Sequence, residues 1–105
     1  MQEIDVKTLN HKLSSKEDFI LLDVRTENEV FISSIEGSMH IPMNDIPNRM
    51  NELDKNKEIV VQCKSGKRSA KVCEYLMQHS FQDVKNLRGG IIAWSKEIDP
   101  TIIVY

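Results

Sequence analysis

The sequence predicts an α/β fold, a mostly parallel sheet of about five strands with helices on both faces. Three observations predict it. Strand-like and helix-like stretches alternate along the 105 residues. Two apolar runs, Phe19-Ile20-Leu21-Leu22-Asp23-Val24 and Ile59-Val60-Val61, read as strands covered on both faces. The second run continues through Gln62 into Cys63, which opens a short glycine-containing loop leading directly into a helix.

Each element has a local reason. Residues 3–6 form a short entry strand, and residues 8–14 a short helix with Leu9 and Leu13 at i, i+4 spacing. Residues 14–18 are its polar exit, and the strand over 19–24 follows. Thr26 caps a helix that begins Glu27-Asn28-Glu29, with its acidic residues in the first turn, where the helix dipole favours them. Residues 35–42 read as a turn and a short strand ended by Pro42. A helix over 46–53 tolerates Pro47 in its first turn. After a solvated turn at 54–57 comes the strand over 59–63. The helix over 68–79 buries Ala70, Cys73 and Leu76/Met77. Residues 84–87 are the final strand, and residues 90–98 the final helix, carrying Trp94.

Composition bounds the function. A chain of this length is expected to form one domain, residues 1–105, around one core. Hydrophobic residues at 40% and charged residues at 29% describe a soluble globular protein. No apolar run approaches the ~20 residues that span a membrane. The start, Met-Gln-Glu-Ile-Asp, lacks a secretory signal pattern. Cys63 and Cys73 do not make a disulfide framework, so a cytoplasmic location is expected. No Cys-x-x-Cys occurs and His11, His40 and His79 are scattered, so neither metal nor cofactor is expected. Net charge is −2, unevenly divided. Residues 63–105 hold seven Lys and Arg against four Asp and Glu, whereas residues 1–62 hold seven against twelve. One basic loop in an acidic chain indicates local anion chemistry, not a nucleic-acid-binding face.

That loop is Cys63 followed by Lys64, Ser65, Gly66, Lys67, Arg68 and Ser69. Cations at a helix N-terminus oppose the dipole, unless an anion sits there too. Backbone N–H groups and a helix start beside a cysteine suit negative charge on sulfur. An ordinary cysteine, with a pKa of about 8.5, is roughly 3% thiolate at neutral pH. Held near ~6.5, it would be about three-quarters thiolate. Gly66 permits a positive φ and close approach to a ligand, and Ser65 and Ser69 supply hydroxyl donors. The bland readings are also clear. Cys73 and Trp94 read as core, and Met39, Met43 and Met50 as core or rim. Asp23 and Arg25 read as a hydrogen-bonded pair at a strand end, and Gly89-Gly90 as a tight turn beside the cysteine loop.

Four segments, in order, resemble a single-domain rhodanese module: Leu22-Asp23-Val24-Arg25; Gly37 with Ile41-Pro42; Ile59-Val60-Val61 with residues 63–69; and Asn86-Leu87-x-Gly89-Gly90-Ile91-x-Ala93-Trp94. The resemblance implies the rhodanese-like fold and a sulfurtransferase mechanism. Cys63 would take a sulfane sulfur from thiosulfate or a persulfide, hold it as a persulfide, and pass it to a thiol acceptor. Residues 64–68 would cradle it, with Arg68 and the lysines attracting an anionic donor. The chain departs from the family at Ser33-Ser34, where Gly-His is common, and at Ser38, often alanine. Its ending, from Ala93 to Tyr105, resembles rhodanese domains fused behind adenylyltransferases. That ending implies a ubiquitin-like sulfur carrier as a partner, beside the small anionic sulfur donor or protein persulfide donor that the family resemblance implies. Two alternatives stand beside this reading. One is a non-catalytic interaction module. The other is a phosphatase or arsenate reductase, whose loops place five residues between Cys and Arg where this chain has four.

Overall fold

The computed structural model describes residues 1–104. Its strands are β1 Gln2–Ile4, β2 Phe19–Asp23, β3 Met39–His40, β4 Glu58–Gln62 and β5 Val84–Leu87. Its helices are α1 Val6–Ser14, α2 Glu27–Ile32, α3 Ile46–Arg49, α4 Lys67–Gln78 and α5 Gly90–Glu97. The strands form one sheet in the order β1-β5-β4-β2-β3, and every pairing is parallel.

Side chains alternate across the two central strands and so build two cores. Leu22, Ile59 and Val61 pack on one face with Ile46 of α3 and Val72, Cys73 and Leu76 of α4. Leu21 and Val60 point the other way, against Val6 and Leu9 of α1 and Ile91 and Trp94 of α5. The expected five-stranded α/β sheet with helices on both faces is therefore present. Gln62 is the polar exception in β4: it is fully buried, and neither side-chain polar atom has a hydrogen-bond partner among the described residues.

Most element boundaries fall within a residue of the sequence reading, and two places differ by more. Val6 belongs to α1, not β1, because Asp5 accepts a hydrogen bond from the Thr8 N–H at 2.8 Å and starts the helix two residues early. The helix expected over 46–53 is only four residues long, flanked by 3-10 turns at Met43–Asp45 and Met50–Glu52. No described helix is long and apolar enough to cross a membrane.

The topology locates the site. After β2 the chain steps outward to β3, then returns to the opposite side of β2 for β4 and beyond it for β5. Open parallel sheets leave a crevice at the carboxyl ends of the strands where the order reverses in this way. Here those ends are Val24 to Thr26 after β2 and Cys63 after β4.

Candidate active site

Cys63 follows the last residue of β4, fully buried, and its sulfur lies at the start of α4. The Gly66 N–H donates to Sγ at 3.1 Å and the Ser69 N–H at 3.4 Å, while Ser69 Oγ lies 3.3 Å away. Helix α4 has no side-chain cap of the usual serine or aspartate kind; its N-cap is Gly66, with φ +103°. Sulfur therefore occupies the place of a capping oxygen and satisfies N–H groups that a helix start leaves open. Burial pushes the Cys63 thiol up. Hydrogen bonds from the Ser69 hydroxyl and from the N–H groups of Ser69, Gly66 and Ser65 outweigh burial and hold the thiol below its ordinary value.

Neighbouring elements fix the loop. At the start of α5 the Ile91 N–H donates to the Cys63 carbonyl at 2.9 Å, and the Ile92 N–H to that of Lys64 at 3.1 Å. Gly90, at φ +58°, lies so close that a Cβ would fall 2.5 Å from the Cys63 oxygen and 2.4 Å from that of Lys64. The Gly89-Gly90 turn thus abuts the cysteine loop, as expected. From β5, Asn86 donates to the Gly66 carbonyl at 3.1 Å and accepts the Ser69 hydroxyl at 2.5 Å.

The Arg68 guanidinium makes a two-pronged pair with Glu29 of α2, at 2.6 and 2.8 Å. Glu29 is held in turn by Thr26, whose N–H and hydroxyl both donate to Oε1 at 3.1 Å. Helix α2 buries none of its residues, so polar bonds position it. Arg25, itself fully buried, grips both Asp23 carboxylate oxygens and donates to the Ser33 carbonyl at 2.7 Å. Asp23 and Arg25 are the strand-end pair the sequence suggested, and they also seat the helix that carries Glu29.

Cys73 lies in the core, where burial first, and then the Cys63 charge, push its thiol up to about 12. Among the described residues, no group of three or more His, Cys, Asp and Glu converges as a metal site. Sequence reasoning missed Asn86 and Glu29 as neighbours of the loop. The signal for Glu29 was the Thr26-x-x-Glu29 spacing of a capping box, which already explained its presence.

The sequence model for the rhodanese-like domain matches residues 5–97. The chain belongs to the rhodanese family. A protein named sulfurtransferase from Allochromatium vinosum is 42% identical over 102 residues, covering 97% of this chain and 95% of its own. A crystal structure of a rhodanese-like domain protein from Staphylococcus aureus, 37% identical, superposes with a TM-score of 0.86 over 93% of this chain and 95% of that one. A more distant rhodanese relative is the adenylyltransferase and sulfurtransferase MOCS3 of Arabidopsis thaliana, 29% identical. The match takes in 97% of this chain but 25% of that protein. Rhodanese membership and the sulfurtransferase names together support a sulfurtransferase role.

Proposed function

We propose that this rhodanese is a sulfurtransferase that carries a sulfane sulfur as a persulfide on Cys63. The observation that carries the reading is the convergence of two amide N–H groups and a hydroxyl on Sγ, which favours the thiolate. In the first step the Cys63 thiolate attacks the outer sulfur of a donor. With thiosulfate, the S–S bond breaks and sulfite leaves with the bonding pair. With a persulfide R–S–S–H, the departing group is the thiolate R–S⁻. Either way Cys63 retains one added sulfur. In the second step an acceptor thiolate attacks that terminal sulfur, forms its own persulfide and restores the Cys63 thiolate.

Gly66, Ser65 and Ser69 stabilise the anionic sulfur through backbone N–H groups, and Ser69 also through its hydroxyl. Lys64 and Lys67 add positive potential at the loop. Arg68 braces the loop through Glu29. Acceptors are thiols, small or protein-borne; a ubiquitin-like sulfur carrier is one candidate, given the relative that joins an adenylyltransferase to a sulfurtransferase. The cytoplasm, which keeps thiols reduced, is the compartment this chemistry suits.

The test is intact mass after incubation with thiosulfate or with glutathione persulfide. The expected result is an addition of one sulfur atom, removed by thiol and confined to Cys63. Cys63→Ser should abolish both adduct and transfer while leaving the domain folded, and Cys73→Ser should preserve both. Absence of an adduct with every sulfane donor, or a dead Cys73→Ser, would overturn the assignment.

A further inference from the structure

The most telling feature beside the thiol is a carboxylate. Glu29 has 13% of its side chain exposed and stands against the one arginine of the cysteine loop. Four hydrogen bonds fix it, two from Arg68 and two from Thr26. A carboxylate restrained so thoroughly is not readily displaced by an incoming anion.

The consequence concerns the donor. Thiosulfate presents a sulfonate and two negative charges. The side chain best suited to orient such a group is the planar guanidinium fork, which offers paired donors to two oxygens. In this chain the fork is turned to an internal carboxylate of the same shape. Lysine ammonium groups attract an anion but do not orient it in that way. The Glu29 charge also opposes a dianion at the loop. A persulfide needs no sulfonate pocket, because it offers a terminal sulfur on a thiol-derived stem.

Resting on the sulfurtransferase reading above, we propose that Glu29 is a specificity-determining residue that biases the protein towards persulfide donors and against S-sulfonate donors such as thiosulfate. Glu29 acts through Arg68, not on the reacting sulfur.

Steady-state transfer with each donor tests this. Glu29→Gln keeps the shape and the Thr26 contacts but removes the charge. It should raise kcat/KM for thiosulfate about tenfold, mainly through KM, while changing kcat/KM for glutathione persulfide less than about threefold. Glu29→Asp, which keeps the charge, should leave the donor ratio near that of the wild type. An unchanged or lower thiosulfate kcat/KM in folded Glu29→Gln would overturn the proposal, as would an equal relaxation in Glu29→Asp. Should either variant fail to fold, the wild type decides. Inorganic sulfate should not compete with the persulfide donor at about 1 mM, and competition below that level would mean an open sulfonate site. Loss of the Cys63 adduct with both donors would instead sink the sulfurtransferase reading itself, a distinguishable failure.

Discussion

Ser69 has one hydroxyl proton and two neighbours that can use it. Its Oγ lies 2.5 Å from Asn86 Oδ1 and 3.3 Å from Cys63 Sγ. While Cys63 is protonated, its S–H can donate to Ser69, which donates to Asn86. Once the sulfur is ionised, it competes with Asn86 for that proton, while the Gly66 and Ser69 amides keep donating to it. The charged groups around this cluster include Arg68 paired with Glu29, Lys64 and Lys67 in the loop, and Glu3 of β1, 3.5 Å from the Asn86 amide. Because the folded thiol lies below its ordinary value, its contribution to stability is full above about pH 8.5 and fades as pH falls through the folded value. Ser69→Ala should therefore shift the pH midpoint of Cys63 alkylation upward and slow alkylation at neutral pH. It should also cost about 1–3 kcal/mol in denaturant unfolding, because Asn86 Oδ1 is left buried without its donor. An unmoved midpoint would mean that the backbone amides alone set the thiol.

At the scale of elements, the loop depends on its neighbours more than on its own residues. The first turn of α5 donates to the carbonyls of Cys63 and Lys64, which leaves the N–H groups of the following loop residues to face the sulfur. Gly90 allows this contact. Gly90→Ala places a methyl against two backbone carbonyls at a positive φ, and should destabilise the protein by about 3 kcal/mol or more. Transfer activity should fall even in the fraction that stays folded, as thermal unfolding and rate measurements on one sample would show. This dependence also explains what the sequence could reveal. Strand β4, the loop and α4 are contiguous, so Cys63 and residues 64–69 were legible from chemistry at fixed spacing. Asn86 and Glu29 arrive from β5 and α2 through tertiary pairing, which one chain read in order does not encode locally. The carboxylate partner of Arg68 lies 39 residues away in sequence, so that pairing is not legible locally either. The start of α1 differs because Asp5 caps the helix through the Thr8 N–H, a contact that the strand-like stretch from Glu3 to Val6 does not signal.

Across the whole molecule, the parallel sheet separates chemistry from support. The carboxyl ends of β2 and β4 carry the thiol and its neighbours. The opposite end carries an ionic cluster in which Glu58, at the start of β4, pairs with Lys12 of α1 and Lys85 of β5. Burial raises the Glu58 pKa, but hydrogen bonds from the two lysines outweigh it and hold the carboxyl below the usual glutamate range. A depressed carboxyl contributes stability above its unfolded pKa, about 4.3, and loses it as pH falls through the folded value. Glu58→Gln should cost about 1–3 kcal/mol at neutral pH and flatten the loss of stability below pH ~5, while Cys63 alkylation keeps its pH profile. A shifted alkylation profile would show that the two ends are coupled. The sulfur that stands in for the capping oxygen of α4 changes its acceptor strength with what it carries. On the proposed mechanism that atom alternates between a bare anion and the inner member of a disulfane, a much poorer acceptor, so α4 would exchange a strong cap for a weak one at each turnover.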